Sequence, residues 1–114
     1  MGSRAKAKLR LSDDGREVVV SGPITEWDGD EESATFTVVI AQVDDSGDIV
    51  LARGESEYTY RRGAKTWKAT ARVNGRSGRL TRGLAEAWAL ASITKPNGTF
   101  ELYPWSVQTR LVSA

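Results

Sequence analysis

Five of the seven residues from Glu26 to Glu32 are carboxylates, Glu26, Asp28, Asp30, Glu31 and Glu32, interrupted only by Trp27 and Gly29. Two chemistries use acids at such density. Paired carboxyl groups hydrolyse glycosides, one giving a proton to the leaving oxygen while the other attacks or activates water. Calcium takes several oxygens from a flexible loop, and Asp28 with Asp30, or Asp44 with Asp48 in the run Asp44-Asp45-Ser46-Gly47-Asp48, would supply them. Neither run has the ordered spacing of an EF-hand, and Asp-Gly or Ser-Gly dipeptides are the ordinary material of hairpin turns. Turns without a cofactor are therefore the stronger expectation. Histidine and cysteine are absent, which removes the side chains that serve most often as base, thiolate nucleophile or soft metal ligand near neutral pH. Ser21, Ser33 and Ser46 have no base at a recognisable spacing. The chain reads as a noncatalytic module, with a carboxylate-based hydrolase as the remote alternative.

A second group, Tyr58, Tyr60, Arg61, Arg62, Lys65, Trp67 and Lys68, mixes rings and cations as a single-stranded nucleic-acid surface does. Exposed Trp27, Trp88 or Trp105 would equally suit a carbohydrate. Against the first stands alternation, which points Trp67 inward with Ala69 and Ala71, and a net charge of only +1, which gives little general attraction to phosphate. Against the second, four tryptophans in a small sandwich are more often core and core-edge residues. The charges are segregated along the chain. Eleven acids from Asp13 to Asp48 accompany Arg16 alone, whereas nine basic residues from Arg53 to Arg82 accompany Glu55 and Glu57.

These groups sit on a chain of 114 residues, enough for one domain over 1–114 with a single two-layer core. Met1-Gly2-Ser3 has the look of a tag remnant. No apolar run reaches the length of a membrane span and no h-region follows the basic start, although a tag remnant would hide an original export signal. The absence of cysteine favours the cytoplasm.

Alternation organises the chain into short strands. Arg4, Lys6, Lys8 and Arg10 share one face and Ala5, Ala7, Leu9 and Leu11 the other, which suits a charged edge strand. Glu17 to Gly22, Ala34 to Val43 with Phe36, Val38 and Ile40 inward, Ile49 to Ala52 broken at Gly54, and Thr66 to Val73 follow. Leu84 to Ile93 carries high helix propensity. A strand with Ala85, Ala87, Ala89 and Ala91 on one face is preferred, because the turn Pro96-Asn97-Gly98 and the long β run beyond it require an antiparallel partner. In that last run Phe100 and Leu102 have one parity and Trp105, Val107 and Leu111 the other, which predicts a bulge at Tyr103-Pro104.

About seven short strands with turns roughly every ten residues predict an all-β antiparallel sandwich. The alternatives are a small β-barrel, or an α+β fold with one helix over 84–93. The order of features resembles small immunoglobulin-like or fibronectin-like sandwich proteins of high-GC bacteria. It rests on the valine strand ending Ser21-Gly22-Pro23, the Ala34-Thr35-Phe36-Thr37-Val38 run, Thr66-Trp67, the alanine strand opening at Gly83, and Pro104-Trp105-Ser106-Val107. That resemblance implies a scaffold and no activity of its own.

Antiparallel succession sends alternate loops to opposite ends. Trp27 to Glu32, Arg61 to Lys65 and Lys95 to Gly98 share one end, and Asp13-Asp14, Asp44 to Asp48 and Asn74 to Arg82 share the other. The first end offers an aromatic, carboxylates and guanidinium forks, so Trp27, Asp28, Asp30, Arg61, Arg62 and Lys65 form the candidate partner site. The competing explanation is that the arginines only neutralise the acidic loop. A sheet also has an outer face. Val39, Ala41, Trp88 and Leu90 lie opposite the core positions and predict a homodimer interface. The partner expected is therefore a protein or a second copy.

Overall fold

In a computed structural model, residues 2–3, 8–75 and 78–113 are described. Nine strands follow in order: β1 (Gly2–Ser3), β2 (Lys8–Leu11), β3 (Glu17–Glu26), β4 (Ser33–Val43), β5 (Ile49–Glu55), β6 (Tyr60–Arg61), β7 (Thr66–Val73), β8 (Gly83–Thr94) and β9 (Phe100–Ser113). The candidate helix over 84–93 is strand β8, in which Ala85, Ala87, Ala89, Ala91 and Ile93 are buried and Leu84, Trp88 and Leu90 are exposed. Two expectations, the charged face at Arg4 and Lys6 and any role for Arg76, fall outside the described residues.

The expected sandwich is instead a closed barrel. Its seven strands run β3, β2, β9, β8, β4, β5, β7 and return to β3 through seven paired positions from Glu17 opposite Arg72 to Pro23 opposite Thr66. A ring with an odd number of strands cannot alternate direction throughout, so one contact must be parallel. That contact is β2 with β9, Lys8 opposite Arg110 through Leu11 opposite Ser113. β2 is accordingly no edge strand: it lies between β3 and β9. The strand expected to stop at Gly54 continues to Glu55.

The predicted bulge is also absent. β8 and β9 pair in one unbroken register from Gly83 opposite Leu111 to Thr94 opposite Phe100. Phe100 and Leu102 keep their parity and face out, exposed, while Trp105 and Leu111 face in. The change of apolar parity marks a surface segment, where the sequence pattern had suggested a slip.

Small and large residues alternate inside the barrel. Trp67 is 1% exposed and stacks on Phe36, ring centroids 4.5 Å apart and planes 8° from parallel. Trp105 tilts against Trp67 at 5.9 Å. Room for these rings comes from the buried alanines at 69 and 71 on β7 and at 85, 87, 89 and 91 on β8. Leu80, 2% exposed, closes one end. The chain there is tied by Leu80 N donating to Gly15 O at 2.8 Å and by the Arg16 guanidinium donating to the carbonyls of Gly78 (2.8 Å), Val73 (3.2 Å) and Gly75. The Asp13-Asp14 turn thus meets the segment after β7, as expected from strand succession.

Candidate functional site

The opposite end collects the acidic loop 27–32 between β3 and β4, the loop 62–65 between β6 and β7, and the turn after β8. Hydrogen bonds join them: Glu32 N donates to Thr94 O at 2.9 Å, Arg62 N to Glu32 O at 2.7 Å, and Ile24 N to Lys65 O at 2.8 Å. All six residues of the candidate partner site lie here, but they divide into two kinds.

Trp27 and Arg62 hold the loop itself. The Trp27 indole is half-buried against the core and its Nε1 donates to Ala64 O at 3.0 Å. The Arg62 guanidinium reaches over the acidic loop, donating from Nη1 to the carbonyls of Glu31 (2.8 Å) and Gly29 (3.0 Å) and from Nη2 to Trp27 O at 3.3 Å. Beneath it the Glu31 carboxylate, 3% exposed, accepts from Asp28 N at 2.6 Å. A loop that carries so many carboxylates is thus organised by one planar fork that satisfies its backbone carbonyls. Asp28, Asp30, Arg61 and Lys65 are exposed.

Arg62→Ala is expected to lower unfolding stability by about 1–3 kcal/mol, because several loop carbonyls lose a charged donor together. Arg62→Lys should recover little of it, since one ammonium cannot span the same carbonyls. Urea titrations of the two variants check this, and full recovery by lysine would show that charge alone matters.

Beside the loop, Lys95 Nζ lies 2.7 Å from Glu101 and 3.5 Å from Asp30, and the Tyr103 hydroxyl donates to the same Glu101 at 2.5 Å. Glu101 accordingly raises the Lys95 ammonium above its ordinary range, with Asp30 adding to it. Glu101 is held below the usual carboxylate range by Lys95 and then Tyr103, and the phenol is pushed up by the carboxylate it meets.

Asp44, one of the acids named for calcium, organises its own turn. One oxygen of Asp44 accepts from Ser46 N (3.0 Å), Ser46 Oγ (2.8 Å) and Asp48 N (2.9 Å), and these hydrogen bonds hold its carboxyl below the usual range. Among the described residues no three carboxylates converge as metal ligands do. Of the ring-and-cation stretch, Trp67 is inside the barrel. Tyr60 packs edge-on to Phe36 and both receives from and donates to the Lys68 backbone through its hydroxyl. Tyr58 remains exposed.

The outer face of β5, β4, β8 and β9 gathers the predicted dimer residues. Pairing sets Val39 opposite Trp88, Thr37 opposite Leu90 and Ala41 opposite Leu51. Around this centre stand Val43, Ile49, Leu51, Leu84, Leu102 and Phe100, so that with Trp88 and Leu90 eight large apolar side chains are 36% to 67% exposed. A groove of about 450 Å³ opens among Val43, Ile49, Leu84 and Trp88, with Glu86 as its charged rim.

No family model, curated protein or solved structure matches this chain. Geometry is thus the ground for a functional reading. Ile49, Leu51, Phe100 and Leu102 were not among the predicted interface residues. For the last two the signal was present in their parity, which alternation with the unbroken β8 register would have placed outside. Among the described residues no helix is long and apolar enough to cross a membrane.

Proposed function

We propose that the protein is a noncatalytic binding module that associates with a second copy of itself through the outer face of β5, β4, β8 and β9. The observation that carries this reading is the continuity of the apolar surface across four strands. Its eight large side chains, each 36% to 67% exposed, stand on one face, whereas apolar residues scattered singly are what a monomer ordinarily shows. The opposite signs on this face also favour a like partner. Arg53 and Arg110 are balanced by Glu55 and Glu86, so two copies meet without net repulsion.

Sedimentation across a concentration series tests the reading. The wild type should be dimeric at micromolar concentration, and Trp88→Glu should raise the dissociation constant at least a hundredfold, about 2.7 kcal/mol, while the far-ultraviolet β spectrum is retained. A wild type that stays monomeric at high concentration rejects self-association. Should it instead carry a different protein on this face, Trp88→Glu would abolish that complex with no change of oligomeric state.

A further inference from the structure

The registers of the four strands fix which side chains stand side by side on the outer face. One row reads Arg53, Val39, Trp88, Ser106 and the next reads Glu55, Thr37, Leu90, Pro104. All of the charged members are exposed, and among the described residues neither Arg53 nor Glu55 forms an ion pair within the chain.

Resting on the self-association reading above, we infer that the dimer axis lies in the interface, runs across the strands and passes midway between these two rows. That operation exchanges the rows. It sets Trp88 of one copy on Leu90 of the other, Val39 on Thr37, and Ser106 on Pro104. At the β5 rim it sets Arg53 against Glu55, and by symmetry does so twice. Further out it brings Phe100 to Arg110 and Ser92 to Glu86, a ring to a guanidinium and a hydroxyl to a carboxylate.

Other twofold placements pair charge with apolar surface. An axis along the strands between β4 and β8 sets Arg110 on Ile49 and Glu86 on Ala41. An axis through the Trp88 row sets Glu86 on Leu90 and Glu55 on Leu51. Desolvating a carboxylate without a partner is unfavourable, so these arrangements oppose association where the chosen one supports it. The barrel face curves away from its middle, so β4 and β8 meet first and the Arg53 and Glu55 pairs lie at the rim of the contact. Pairs that straddle the axis stay apposed even though stacked sheets cross at roughly 30°.

The test uses the full chain in sedimentation equilibrium at physiological salt. Arg53→Glu and Glu55→Arg should each weaken self-association at least tenfold, because each places like charges together at two sites. Mixed in equal amounts, the two variants should form a heterodimer within about threefold of the wild-type affinity, since the paired carboxylates on the β5 rim of one then face the paired guanidinium groups on the rim of the other. Raising the salt should narrow the gap between the single variants and the wild type. If the wild type dimerises and either single variant does so equally tightly, or the mixture fails to recover, the axis is wrong although the interface stands. A monomeric wild type removes the interface itself.

Discussion

Gly54→Ala should leave the protein unfolded or barely folded, with a loss above about 4 kcal/mol, a large share of the ~5–15 kcal/mol that stabilises an ordinary domain. A Cβ at Gly54 would stand 1.7 Å from Thr70 O and 2.6 Å from Thr70 C, with the Ala71 Cα at 3.1 Å. These are backbone atoms, so no rotamer change relieves the clash. Glycine is required by the approach of another strand: β5 and β7 run so closely here that Ala52 pairs with Val73, Arg53 with Arg72 and Ser56 with Ala69. Moving them apart would open the barrel at that seam. Soluble yield and urea midpoint measure the effect, and a shift under about 1 kcal/mol would mean that the strands separate freely.

Trp67→Ala should cost about 3–5 kcal/mol, at the upper end of what truncating a buried aromatic costs. The stack on Phe36 and the tilted contact with Trp105 are both lost. The neighbouring walls cannot refill the space, because they are built of alanines at 69, 71, 87, 89 and 91 that have no side chain to swing inward. Trp67→Phe, which preserves the stack with less volume, should cost markedly less. Equal losses in the two variants would assign the effect to the indole rather than to the volume it fills.

The strands were legible where one face of the sheet is buried and the other is wet. In β7 and β8 alternation sorted Trp67 and the alanine row inward without error, overriding the helix propensity of the Leu84 to Ile93 stretch, because propensity yields to a face that must be buried. Sandwich and barrel were not separable by that signal. Both present the same alternation along every strand, and they differ in whether β3 meets β7 and β2 meets β9, pairings between segments about fifty to a hundred residues apart.

The candidate sites show a similar division. The grouping of Trp27, Arg62 and Lys95 at one end followed from strand succession alone. Whether Arg62 faces outward toward a partner or folds over carbonyls 27, 29 and 31 depends on loop geometry that residue types do not encode. The parity change at Phe100 and Leu102 shows a different limit: a bulge follows only if every apolar residue of the run shares one face, whereas much of any protein surface is apolar and the register here is unbroken.

The parallel contact of β2 with β9 governs how the molecule can be made. β2 is synthesised about a hundred residues before β9, so the ring stays open until that whole stretch has been made. Pairing between strands so distant along the chain carries a high loop-closure cost and places the protein with the slow folders, on the millisecond to second scale. Until β9 arrives, the apolar interior and the free side of β8 are open to other chains, and the cell must keep nascent copies apart during that interval.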